Sequence, residues 1–158
     1  MTTAMITLRD ATPSDLPTLF EQQCDPEANR VAVANPRDRA GFDAHWATIL
    51  GEPSVVAKVI VEEDGVVLGQ ISCFRSEGQD CVGYWIGREH WGRGVATRAL
   101  ELLLGETRIR PLHARVARTN VASLRALVRC GFVVTGYAHA PATDRFPACE
   151  EAMLVLAR

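Results

Sequence analysis

The sequence predicts a mixed α/β (α+β) domain, and three observations carry that expectation. β-branched residues cluster in the middle of the chain around a hairpin signal. Amphipathic helical spacing recurs on both sides of that cluster. No linker, repeat or low-complexity tract divides the 158 residues, so one domain over residues 1–158 is expected, with helices packed on a central sheet.

Ile6 and Leu8 alternate with Thr7 and Arg9, the period of a short first strand. Thr12-Pro13-Ser14-Asp15 then supplies a helix start, with Thr12 as cap, Pro13 at the first helical position and Leu16, Leu19 and Phe20 as the apolar face. Asn35-Pro36 breaks the next segment. Phe42, Trp46, Ile49 and Leu50 follow at i, i+4, i+7, i+8 and mark a second helix. Residues 55–61 read as a strand, Glu63-Asp64-Gly65 as a hairpin turn and 66–74 as the return strand. After a polar turn at 76–80, residues 81–86 complete an antiparallel meander. A glycine-bearing loop over 87–94 leads into a helix over Val95–Glu106. A short strand near 113–116, a helix over Val121–Arg129 and closing strands at 132–137 and 153–156 finish the chain. The expected order is βαα-βββ-α-β-α-ββ.

Composition narrows the function. No apolar run approaches the ~18 residues of a bilayer span, so no membrane partner is expected. MTTAMITLRD lacks the basic region and apolar stretch of a secretory leader, which points to a cytoplasmic protein. Cys24, Cys73, Cys81, Cys130 and Cys149 show no zinc or redox spacing and read as free thiols, with no metal site. Net charge is −2 but unevenly spread: residues 1–80 hold six Lys or Arg against thirteen acids, and residues 81–158 hold eleven Arg against six. The second half is therefore expected to meet an anion and the first a cationic or neutral partner, unless these charges only solvate the surface. Asp25, Glu27, Asp38 and Asp43 would suit a cationic partner. Basic residues are not clustered with aromatics, so nucleic acid is not an expected partner.

The strongest chemical signal is the segment Tyr84-Trp85-Ile86-Gly87-Arg88-Glu89-His90-Trp91-Gly92-Arg93-Gly94-Val95-Ala96-Thr97. A strand feeds a Gly-x-Gly turn that opens directly into a helix. Gly92 and Gly94 permit positive φ and close approach of a ligand, and the first helical N–H groups lie unpaired at the positive end of the dipole. Together they suit a phosphate or diphosphate, with Arg88, Arg93 and Arg98 near enough in sequence to assist. No Gly-Lys-Ser/Thr ends the loop, so it is not a Walker motif, and the antiparallel strands before it make a poor dinucleotide fingerprint.

These residues resemble the GNAT N-acetyltransferase superfamily. Arg93-Gly94-Val95-Ala96 is similar to the end of its (Gln/Arg)-x-x-Gly-x-(Gly/Ala) signature, with Trp91 in the Gln/Arg position. Trp91-Gly92-Arg93-Gly94-Val95-Ala96-Thr97 looks like the branch that includes ribosomal-protein N-terminal acetyltransferases. Asn120-Val121-Ala122-Ser123, followed by Cys130-Gly131-Phe132, resembles the family's Asn-x-x-Ser/Ala…Gly-Phe motif, although Asn120 as N-cap and Gly131 as helix stop also explain it locally.

The resemblance implies a mostly antiparallel sheet of about seven strands with helices on both faces. It implies acetyl-CoA as co-substrate, its diphosphate held by Trp91, Gly92, Arg93, Gly94, Val95, Ala96 and Thr97, and its pantetheine beside the exposed backbone of Trp85, Ile86 and Gly87. Asn120 and Ser123 would contact the co-substrate and lie near the chemistry. The implied reaction moves an acetyl group onto a primary amine, a protein N-terminus or a small molecule, by direct attack in a ternary complex. The protein would act as a monomer or homodimer. Many members place an acid Tyr four residues before the Gly of Gly-Phe, and here that position is Leu127. The leaving thiolate would then rely on solvent, Ser123 or another group, while Tyr84 and Tyr137 read as sheet residues. Glu62, His90, His113, His139 and Glu150 are candidates for the general base. A CoA-binding sensor with this fold and little turnover is the alternative that Leu127 leaves open.

Overall fold

The computed structural model of the protein describes residues 5–158. Its strands are β1 (Ile6–Asp10), β2 (Val56–Glu62), β3 (Val67–Ser76), β4 (Gln79–Ile86), β5 (Leu112–Ala117), β6 (Val133–Ala140) and β7 (Cys149–Leu156). Its α-helices are α1 (Leu16–Gln23), α2 (Pro26–Ala32), α3 (Arg39–Gly51), α4 (Val95–Glu106) and α5 (Val121–Arg129). The seven strands form one sheet in the order β1-β2-β3-β4-β5-β7-β6. Only β4 and β5 run parallel, and every other neighbouring pair is antiparallel.

Alternation along β2 shows how the layers form. Ile60 joins Leu68, Ile71, Leu100, Leu103, Leu127 and Phe132 in a core beneath α4 and α5. Val59 and Val61 face the other way, against Leu19 of α1 and Phe42 and Trp46 of α3. The sheet is thus covered on both faces, as the family resemblance implies. Within α5, Leu127 is fully buried, while Val121 and Val128 stand half exposed.

Three local features differ from the sequence expectation. Residues 13–15 form a 3-10 turn before α1, with the Asp15 carboxylate accepting from Thr12 N at 2.9 Å and from the Arg9 guanidinium at 2.7 Å. Helix α2 was not foreseen, because its seven residues carry no apolar stripe; Asp25 caps it by accepting from Ala28 N at 2.9 Å. Strand β7 begins at Cys149 rather than Met153, since it is an internal strand paired to β5 on one side and β6 on the other.

Candidate active site

Strand β4 is bonded along its length to β3 but only at one end to β5. The register with β3 runs from Ser76↔Gln79 to Gly69↔Ile86, whereas β4 and β5 share the single pair Cys81↔His113. The two parallel strands then diverge. Gly87 N donates to Leu68 O at 2.8 Å. Alternation therefore turns the backbone of Tyr84 and Ile86 toward the open edge and that of Trp85 toward Gln70 of β3. Trp91 Nε1 donates to Ile86 O at 3.0 Å, which sets the indole at this edge. Gly69 permits the tight β3–β4 approach, because a Cβ there would lie 2.2 Å from Trp85 O.

The open edge leads to the N-terminus of α4. Gly92 (φ 76) and Gly94 (φ 72) both adopt the left-handed conformation that glycine favours. Among the described residues no acceptor meets the N–H groups of Gly92 to Thr97, and the first helical bond runs from Arg98 N to Gly94 O at 3.1 Å. Six consecutive amides at the positive end of a 12-residue helix are therefore free for an anion, and a Cβ at position 92 or 94 would meet nothing within 4 Å. The nearby arginines are otherwise engaged. Arg88 reaches Asp25 at 3.6 Å, Arg93 pairs with Glu62, and Arg98 lies 3.2 Å from Glu101. The groups left free here are backbone amides rather than guanidiniums.

Across the open edge stands the start of α5. Asn120 Oδ1 accepts from Ser123 N at 3.3 Å as the N-cap. Ser123 Oγ lies 2.6 Å from Tyr84 Oη, and Tyr84 Oη also lies 3.3 Å from Ser123 O, tying α5 to β4. Burial pushes the Tyr84 phenol up to about 12, opposed by its hydrogen bond with Ser123. The sequence reading had assigned Tyr84 to the sheet alone.

On the opposite face of β3 and β4 lies a cavity of about 80 Å³, floored by Gln70, Ser72 and Trp85 and walled by α1, α3 and two loops. The loops are fastened together. Asn35 N donates to Arg145 O at 2.7 Å, Asn35 Nδ2 donates to Asp144 O at 3.2 Å, and the Arg145 guanidinium donates to Asn35 O. Gln23 grips the backbone of Arg37 at both ends, donating to its O at 3.0 Å and accepting from its N at 2.9 Å. The Arg37 and Arg145 side chains line the cavity, and among the described residues neither forms an ion pair. Burial lowers both guanidiniums, Arg145 to about 10 with the charge of Arg37 adding to the effect. His45 is pushed down to about 4, first by burial and then by Arg37 and Arg145, so its ring is neutral at pH 7.

The sequence matches the family model described as an acetyltransferase (GNAT) domain over residues 5–133. The chain belongs to the GNAT acetyltransferase family. It is therefore an acetyl-CoA-dependent N-acetyltransferase by class. An uncharacterized N-acetyltransferase, p20, of Bacillus licheniformis is 24% identical over 146 residues, covering 85% of this chain and 82% of that protein. The spermidine N-acetyltransferase of Vibrio cholerae, solved with CoA and spermine, superposes with a TM-score of 0.80 at 16% identity, over 96% of this chain and 95% of that one. A phosphinothricin acetyltransferase of Sinorhizobium meliloti, solved with AcCoA, gives a TM-score of 0.77 at 22% identity, over 99% and 89% of the two chains.

Within this GNAT fold the expected base candidates scatter. Glu62 is paired with Arg93 and Glu150 with Arg118. His90 Nδ1 lies 3.2 Å from Arg93 in the loop, His113 sits in the closed part of the β4–β5 pair, and His139 faces Glu150 across β6 and β7. None of them lines the cavity. The acids read as suiting a cationic partner have local roles: Asp25 and Asp38 cap α2 and α3, Glu27 pairs with Arg30, and Asp43 pairs with Arg39. Arg37, His45 and Arg145 were missed, because no spacing links a loop near Asn35-Pro36 to a loop before the last strand. Among the described residues no helix is long and apolar enough to cross a membrane.

Proposed function

We propose that the protein transfers the acetyl group of acetyl-CoA to a primary amine by direct attack within a ternary complex. The observation that carries this reading is the divergence of β4 from β5 ending at the uncapped N-terminus of α4. Free amides over Gly92 to Thr97 fit a diphosphate, and a strand edge with unpaired backbone groups fits the amide-bearing pantetheine arm. The thioester, when bound, supplies an activated carbonyl and a thiolate leaving group.

The chain's own residues divide the remaining work. Gly92, Arg93, Gly94, Val95, Ala96 and Thr97 hold the diphosphate through their N–H groups, with Trp91 beside them. Trp85, Ile86 and Gly87 flank the pantetheine, Ile86 presenting its N–H to the open edge while its carbonyl accepts from Trp91. Asn120 orients the first turn of α5 and so places Ser123. The hydroxyl pair of Ser123 and Tyr84 takes the place of the missing acid at Leu127, whose side chain is buried in the core. A phenol near 12 stays protonated at neutral pH, and full transfer to a thiolate of ordinary pKa, about 8.5, would be uphill. With the single Tyr84 proton directed at Ser123 Oγ along the 2.6 Å contact rather than at Ser123 O, Ser123 Oγ–H is free to stabilise the departing sulfur, and solvent delivers the proton. As the C–N bond forms and the C–S bond breaks, the amine proton is lost to solvent.

The test is steady release of CoA thiol across an amine panel, repeated with Y84F and S123A. Each variant should lower kcat about 10- to 100-fold, as expected for losing a hydrogen bond to a charged group, while changing acetyl-CoA affinity far less. The double variant should cost little more than either single one. Wild-type turnover in both single variants would remove the hydroxyl pair from the mechanism. Absence of thiol release with every amine would remove the activity itself.

A further inference from the structure

We infer that the acceptor is a small amine that also bears an anionic group, a carboxylate or a phosphonate-type acid, which Arg37 and Arg145 bind within the cavity beside Trp85. This rests on the acetyl-transfer reading above and names the substrate class for it. The argument starts from an imbalance of charge. Two guanidiniums line one cavity, and among the described residues no carboxylate neutralises either. A desolvated cation without a counter-ion is costly, and two that repel each other more so. Elsewhere Arg9, Arg88, Arg93, Arg98, Arg115 and Arg118 each reach an acid, while among the described residues Arg108, Arg110, Arg125, Arg129 and Arg158, like the cavity pair, form no ion pair.

Of these unpaired arginines, Arg37 and Arg145 share one cavity lining, and both are held in place. Gln23 fixes the Arg37 backbone, and the Asn35–Arg145 bonds lock the two loops together. Arg145 stacks over the rings of Phe146 and Trp85, with its Cζ 5.2 and 5.9 Å from their centroids, which orients a planar fork suited to an acid. Its buried Nε has no partner, and neither does the buried Oε1 of Gln22 on the same lining. Asn29 Oδ1 and Arg110 Nε are orphaned elsewhere, but among the described residues only Gln22 and Arg145 bring an unpaired acceptor and an unpaired donor to one cavity, where a ligand with both an acceptor and a donor completes the site. An acid would satisfy the guanidinium and an amine N–H would satisfy Gln22.

Position supports the same assignment. The cavity floor is Trp85, whose neighbours Tyr84 and Ile86 turn their backbone to the β4–β5 opening, so an amine seated here lies next to the strand that holds the thioester. Two nearby positive charges also disfavour an ammonium ion, which helps the amine reach the neutral form needed for attack. Neutral His45 adds no competing charge.

The experiment compares alanine and leucine with their phosphonate analogues, their amides and spermidine, as acceptors and as ligands that raise the unfolding midpoint in the presence of CoA. The acids should exceed their amides and spermidine at least about tenfold in kcat/KM and should alone raise the midpoint. R37Q and R145Q should each raise KM for the acid about 10- to 100-fold with kcat changed less than threefold, and acetyl-CoA affinity should not move. R145K, which keeps the charge but loses the fork, controls for folding and should fall between R145Q and wild type. Preference for carboxylate or phosphonate identifies which acid the site takes, and either carries the proposal. Amides or spermidine equal to the acids, unaltered KM in R37Q and R145Q, or no midpoint response to any acid would overturn it if acetyl-CoA still binds. If acetyl-CoA does not bind, the acetyl-transfer reading fails instead.

Discussion

The arginines near the glycine loop and those lining the cavity obey opposite rules. Arg88, Arg93 and Arg98 each meet a carboxylate, so the anion site at α4 is left to main-chain amides and two left-handed glycines. Among the described residues Arg37 and Arg145 meet none, so under the proposal above the cavity would recognise charge through side chains. The difference suits the two ligands. A diphosphate common to every CoA can be read by backbone, which is independent of side-chain identity, whereas an acceptor that varies between enzymes is read by side chains on loops that can vary.

The largest effect should come from G94V. A β-branched residue at φ 72 is strained by about 1–2 kcal/mol, and its side chain would stand in front of the free amides. Acetyl-CoA affinity, followed by tryptophan fluorescence, should fall more than about 100-fold while the far-UV spectrum is retained. Unchanged affinity would break the claim that backbone makes this site.

A moderate effect should appear in acid. The folded protein holds His45 near 4 against its ordinary 6.5, so the native state resists a proton that the unfolded chain accepts. The stability it contributes is fully present above about 6.5 and is lost as pH falls toward 4. Melting midpoints should drop over that window, and H45Q should drop less. Equal slopes would mean that neither burial nor the cavity arginines hold His45 below its ordinary value in the folded protein.

The smallest effect should come from R93Q and R98Q. Both guanidiniums are already paired at the surface, so KM for acetyl-CoA should change less than about fivefold. A larger change would show that these arginines leave their acids for the phosphates, and would erase the contrast between the two regions.

The sequence made the glycine site readable for a local reason. Gly92, Gly94 and the helix they open lie within a few residues of one another, and Asn120 to Gly131 carries its own cap and stop. The seven strands were likewise legible, since each has an alternating or β-branched pattern and a turn at its end. Helix α2 was hidden by its shortness and polarity, and the early start of β7 by Glu150 and Glu151, which look like loop residues until pairing on both sides is known. The cavity could not be read at all. It is assembled from Gln22, Arg37, His45, Trp85 and Arg145, which only the tertiary fold brings together. The Tyr84–Ser123 pair was missed for the same reason, because its 2.6 Å bond joins β4 to α5.

Calorimetric titration of the intact protein with acetyl-CoA, run on the wild type beside G94V and R93Q, tests the central claim most directly. The expected result is one molecule bound per chain by the wild type, a similar isotherm for R93Q and no measurable heat for G94V. A wild type that takes up no acetyl-CoA, or a G94V protein that binds as the wild type does, would contradict the account.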